Sequence, residues 1–156
     1  DNLFKHINID ANNTHVPDAN AEDIENYCKE YDMLIEEKGG IDLQILCIGV
    51  NGHIGFNEPD EELNVGTSIV NLTESTIQAN SRFFDSIDQV PKKAITMGVG
   101  TILKAKKILL LANGKSKHEA IKKLSRNNKI TTNFPASLLL IHPNVTIIVD
   151  EDAYRG

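Results

Sequence analysis

Apolar residues along the chain gather in four short runs, 41–50, 94–98, 108–112 and 145–149, rich in Ile, Leu and Val and bounded by Gly, Asn or Asp. Runs that are continuously apolar, without strict alternation, suit strands buried on both faces, the habit of a parallel sheet covered by helices. Helical spacing fills the gaps. In 21–37, Ile24, Tyr27, Cys28, Tyr31, Leu34 and Ile35 fall on one side, acidic residues stand near the start, and Gly39-Gly40 supplies a stop. A second helix is predicted over 116–124. A third is predicted over 135–141, where Pro135 is tolerated in the first turn and His142-Pro143 ends the element. The stretch 64–88 is less regular, with helix-compatible spacing only over 73–84. Strands alternating with helices predict an α/β fold with an open, doubly wound, mainly parallel sheet flanked by helices.

No repeat, low-complexity tract or linker divides the 156 residues, so 1–156 reads as a single α/β domain. Sixteen Lys and Arg against 22 Asp and Glu give a net charge of -6, the wrong sign for a protein that grips nucleic acid through its phosphates. No apolar stretch approaches the roughly 20 residues that span a bilayer. The start of the chain lacks the pattern of a signal peptide, and Cys28 and Cys47 are too few and too far apart for a disulfide framework or a zinc knuckle. A cytoplasmic setting is expected, and the N-x-T triplets at Asn12, Asn71 and Asn144 read as chance matches. The chain opens on Asp1 with no initiating Met, as a processed or partial chain would.

Chemistry concentrates in Gly49-Val50-Asn51-Gly52-His53-Ile54-Gly55-Phe56-Asn57-Glu58-Pro59, directly after the first strand. Ligands of open α/β sheets collect beyond the carboxyl ends of strands. His53 could exchange protons near neutrality, with Glu58 to orient it; an ordinary turn with a hydrogen-bonded histidine fits the residue types equally. Gly114-Lys115-Ser116-Lys117 links a strand to a helix, a place where free N–H groups receive anions, although a solvated helix start explains its lysines as well. It is not a Walker A loop, because Leu109 stands where the first glycine is needed. Leu103 likewise spoils a dinucleotide fingerprint beginning at Gly98. Arg82, beside Phe83 and Phe84, is expected to be partly buried against an anion, and a structural salt bridge would serve it. His6, His15 and His142 have no metal-ligand company, His118-Glu119 lacks the second His of a zincin, and Asp60, Glu61 and Glu62 suit a solvated turn.

The segment 49–59, together with Ala79-Asn80-Ser81-Arg82-Phe83-Phe84, 90–101 and His142-Pro143-Asn144-Val145-Thr146, resembles the glucosamine-6-phosphate deaminases from end to end. The resemblance implies a Rossmann-like fold of the deaminase/6-phosphogluconolactonase superfamily and conversion of glucosamine 6-phosphate and water to fructose 6-phosphate and ammonia. It implies that His53 opens the ring, that Glu58 works with it, that Asn51 orients by hydrogen bonding, and that Arg82 and Lys117 hold the sugar phosphate. It implies no metal or organic cofactor.

Two departures qualify the resemblance. Family members are longer at the N-terminus, where they carry a Gly-rich phosphate loop and an Asp that shuttles the proton between C2 and C1; no residue of this chain matches either. The chain therefore reads as the larger, C-terminal part of such an enzyme, and the part alone is expected to be inactive. Ser68 and Val70 replace the Arg and Lys of the allosteric members, so the allosteric hexamer is not favoured and the oligomeric state stays open. The alternatives are a 6-phosphogluconolactonase or related sugar-phosphate isomerase, against which the Phe56-Asn57-Glu58-Pro59 ending speaks, and a non-catalytic sugar-phosphate-binding module.

Overall fold

Three of the apolar runs form one parallel sheet. In a computed structural model that describes residues 3–156, β1 (Leu43–Cys47), β4 (Lys107–Ala112) and β5 (Val145–Val149) lie in the order β1-β4-β5 with β4 central. Leu46 pairs with Leu110, which pairs with Ile147, so side chains of the three strands fall into register on each face. α4 (His118–Arg126) follows β4, and its Ala120, Ile121 and Leu124 are buried. They pack with Leu46, Ile108, Leu110, Phe134, Ala136 and Leu139 into the main core. Burial of a large aliphatic side chain contributes about 1.5–3 kcal/mol, so this cluster dominates the chain's cohesion.

The α/β architecture with a mainly parallel sheet agrees with the sequence reading, and three details differ from it. First, only one face of the sheet is covered by the described residues. Ile45 on β1 and Ile148 on β5 are 56% and 54% exposed, on the face opposite Ile108 and Leu110. The apolar pattern provides for a second cover that these elements do not form. Second, the 94–98 run does not join the parallel sheet. It supplies β3 (Lys93–Thr96), which pairs antiparallel with β2 (Ser68–Asn71), a strand the sequence did not announce. A short apolar run records burial and carries no information about its partner. Third, Pro135–Ile141 is a 3-10 helix. Its early N–H groups are engaged outside the segment's own α-helical pattern: Ala136 donates to the Gly52 carbonyl at 2.9 Å and Ser137 to the Phe134 carbonyl at 2.8 Å.

α1 (Ile24–Glu37) starts with the Asp23 side chain accepting from the N–H of Asn26 and stops before Gly39 and Gly40. Its Asp32 accepts from the N–H and the hydroxyl of Thr67, at 2.7 and 2.6 Å, and from the hydroxyl of Thr101 at 3.0 Å. This knot ties α1 to β2 and to α3 (Val99–Leu103). Between β2 and β3 runs α2 (Glu74–Asn80), which continues into a 3-10 turn over Ser81–Phe83 that carries Arg82. The chain closes with α5 (Glu151–Arg155), whose cap residue Asp150 also accepts twice from the N–H of Gly114, each at 3.0 Å.

Candidate active site

β1 ends at Cys47, and the chain at once folds back on itself. The N–H of Gly49 donates to the His53 carbonyl at 2.9 Å, and that of Gly52 to the Gly49 carbonyl at 3.0 Å. Two anchors at the end of β3, Thr96 and the following Met97, hold the far limb. Phe56 donates its N–H to the Thr96 hydroxyl at 3.0 Å, and the buried amide of Asn57 donates to the carbonyls of Ile54 and Met97, both at 2.9 Å. The loop is thus fixed by hydrogen bonds as firmly as a regular element, and its side chains are pre-aimed.

Those anchors bring Asn51, His53 and Glu58 together. Asn51 Nδ2 donates to Glu58 Oε2 at 2.8 Å, and Asn51 Oδ1 accepts from the His53 N–H at 3.2 Å. His53 Nδ1 lies 3.1 Å from the same Glu58 oxygen. Burial alone would push the Glu58 carboxyl up. Hydrogen bonds from His53, Thr76 and Asn51 outweigh it and hold the group at about 2. Glu58 is therefore ionised near neutrality and can only accept, so the proton between it and His53 belongs to Nδ1. In the neutral form of the ring Nε2 then carries the free lone pair, as a general base requires.

His53 lines a cavity of about 360 Å³ with Cys47, Thr76, Asn80, Arg82 and Lys117 among its walls. Lys117 reaches it from the 3-10 turn Lys115–Lys117. Burial pushes its ammonium pKa down, and the nearby Arg82 adds to that fall while Cys47 opposes it. Among the described residues no carboxylate pairs with either cation. Two like charges on one cavity without a counter-ion are an arrangement that can receive an anion.

Of the five residues singled out in the sequence, His53, Arg82 and Lys117 line this cavity, while Asn51 and Glu58 bond to each other and to His53; two details differ from the sequence reading. Arg82 is exposed and makes no structural salt bridge among the described residues; its guanidinium stacks over Phe83, 4.7 Å from the ring centre. At the strand-to-helix turn Asp150 takes the Gly114 N–H, and of residues 114–117 it is Lys117 that lines the cavity. His142 is structural as expected: Nε2 lies 2.7 Å from the Ala105 carbonyl and Nδ1 accepts from Asn144 at 3.1 Å. The sequence did not signal Thr76, whose hydroxyl donates to Glu58 Oε1 from α2, nor Cys47 as a cavity residue. Thr73-x-x-Thr76 at a helix start was the one local hint. Among the described residues, no three His, Cys, Asp or Glu side chains cluster to hold a metal ion.

Comparison with known proteins places the chain in a family. The family described as glucosamine-6-phosphate isomerases/6-phosphogluconolactonase matches residues 1–148. A glucosamine-6-phosphate deaminase of Clostridium perfringens is 60% identical over 154 residues, covering 99% of this chain and 63% of its own length. The chain thus spans a little under two-thirds of that relative. A solved structure described as a monomeric glucosamine-6-phosphate deaminase superposes with a TM-score of 0.93 at 49% identity, over 96% of this chain and 62% of the other. A 6-phosphogluconolactonase of Thermotoga maritima, with a TM-score of 0.66 and 20% identity, shares the fold.

Proposed function

The chain belongs to the glucosamine-6-phosphate isomerase/6-phosphogluconolactonase family, and from that membership we propose that it forms the ring-opening and phosphate-holding part of a glucosamine-6-phosphate deaminase. The observation that carries the reading is the meeting of His53 with two cations, Arg82 and Lys117, on one cavity free of carboxylate partners for them. A sugar phosphate presents the complementary pair of features, a dianion at one end and a ring hemiacetal at the other.

In this reading Arg82 and Lys117 hold the phosphate. Arg82 offers a planar fork of donors and Lys117 a compact charge. His53 Nε2 takes the proton of the anomeric hydroxyl and returns one to the ring oxygen as the C1–O bond breaks, giving the open-chain aldehyde. Glu58 stabilises the imidazolium that forms in between, and Asn51 keeps the carboxylate and the loop in line. The next step removes the proton from C2, and among the described residues the cavity lining contains no Asp or Glu to do it. The observation favours a second reading for the 156 residues alone: a sugar-phosphate-binding part that opens the ring without completing the isomerisation. The lactonase alternative has the shared fold and the joint family description behind it, whereas the relatives about 60% identical are deaminases.

The reading carries two further expectations. Replacement of both allosteric charges, at Ser68 and Val70, supports a protein without the allosteric hexamer, and two free cysteines suit a reducing cytoplasm. The deciding experiment follows glucosamine 6-phosphate with the purified protein, monitoring ammonia and ketose. Ammonia release that falls to background in His53→Ala supports the deaminase; saturable binding without turnover supports the binding part; hydrolysis of 6-phosphogluconolactone without ammonia overturns both.

A further inference from the structure

Glu58 is 8% exposed, and a buried carboxylate needs a donor for each oxygen. Its oxygens are served from different elements. Oε2 receives Asn51 and His53 from its own loop. Among the described residues, Oε1 has one donor, the hydroxyl of Thr76 in the first turn of α2. Thr76 is 4% exposed, and its oxygen also stands 3.5 Å from His53 Nδ1, against the flank of the pair. Thr73, the cap residue of α2, donates its own hydroxyl to Thr76 Oγ1 at 3.2 Å. A threonine hydroxyl has a single proton. Accepting from Thr73 leaves that proton free for Glu58, so the chain of hydrogen bonds runs one way, Thr73 to Thr76 to Glu58.

We propose that Thr76 is a positioning residue that selects the tautomer of His53: its hydroxyl holds Glu58 as an oriented acceptor, which keeps the imidazole proton on Nδ1 and leaves Nε2 unprotonated toward the cavity. Without the hydroxyl, Oε1 is buried with no donor. The carboxyl then gains by turning toward another donor. Once turned, it no longer holds the proton on Nδ1, the Nε2-protonated tautomer gains, and the base becomes a donor. The inference deepens the function proposed above, and rests on it only for the task given to Nε2; the hydroxyl chain and the tautomer are properties of the fold.

Long-range proton–nitrogen spectra of the histidine-labelled 156-residue chain, in mildly alkaline solution, report the tautomer directly, with His53→Gln assigning the signal. Wild type and Thr76→Ser are expected to show the Nδ1-protonated form. Thr76→Val is expected to raise the Nε2-protonated population about tenfold or more, the scale set by losing one hydrogen bond to a charged group. Thr73→Ala should move it in the same direction by less. Unchanged His53 signals in a folded Thr76→Val overturn the proposal, as does a Thr76→Ser that behaves like Thr76→Val, since the methyl group would then be responsible. Should Thr76→Val not fold, Thr73→Ala decides: an altered tautomer supports the proposal and an unaltered one overturns it. No substrate is involved, so failure here and failure of the turnover experiment are separable.

Discussion

The ring of Phe134 occupies the space into which a side chain on Gly52 would project. Phe134 is 1% exposed and belongs to the main core, while Gly52 lies at the bend of the loop that carries Asn51 and His53. The loop and the core therefore share a surface, and the Gly52 carbonyl adds a hydrogen bond from Ala136 at 2.9 Å. Gly52 also has φ +88, a conformation that costs other residues about 1 kcal/mol or more. Gly52→Ala combines that strain with an overpacked contact of about 1–3 kcal/mol. The expected loss, about 2–4 kcal/mol, should appear as a lowered urea midpoint with an unchanged slope.

Glu58 makes stability depend on acid. Its folded carboxyl titrates at about 2 against an ordinary 4.5, so between those values the unfolded chain binds more protons than the folded one. Stability then rises with pH across that window. The contribution is fully present above about pH 5 and is lost as pH falls toward 2, with an upper bound of about 3 kcal/mol. Glu58→Gln should be less stable than wild type at pH 6, and the gap should narrow on acidification in denaturant titrations. A gap independent of pH would contradict the assignment.

Arg82 and Lys117 should act on the phosphate and leave the sugar alone. Replacing either by Met is expected to weaken glucosamine 6-phosphate binding by tenfold or more, since a hydrogen bond to a charged group contributes about 1.5–3 kcal/mol. Calorimetry should show little change for unphosphorylated glucosamine. Added salt should weaken the wild type more than either variant.

The two cysteines should separate cleanly on alkylation. Cys47 is exposed on the open face of the sheet and lines the cavity, whereas Cys28 is the buried residue of α1. Burial first, and then the charge of Asp32, raise the Cys28 thiol and slow its reaction further. Iodoacetamide is expected to label Cys47 in the folded chain and Cys28 only on unfolding, read by peptide mass. The Cys47 adduct should also weaken sugar-phosphate binding.

Much of this arrangement is legible along the chain because its signals are local. β4 and β5 are almost wholly aliphatic, interrupted only by Lys107 and Thr146, and α1 carries its own start and stop in Asp23 and Gly39-Gly40. The loop 49–59 follows from its glycines and its place after a strand. What escapes the sequence depends on distant partners. β2 is four residues of mixed polarity whose register exists only against β3. The 3-10 form of Pro135–Ile141 reflects a hydrogen bond to Gly52, far back in the chain. Arg82 was expected against an anion and partly buried because phenylalanines flank it, yet Phe83 is itself 68% exposed and offers the guanidinium a ring at the surface. Thr76 looks like any residue of a first helical turn until Glu58 is placed beside it.

The most direct test of the sugar-phosphate site is a titration of the isotope-labelled chain with glucosamine 6-phosphate, following backbone and side-chain resonances. The account predicts saturable shifts at His53, its loop from Gly49 to Glu58, Arg82 and Lys117, abolished when Arg82 and Lys117 are both replaced by Met. Shifts that cluster elsewhere, or a spectrum that the ligand leaves unchanged, would contradict it.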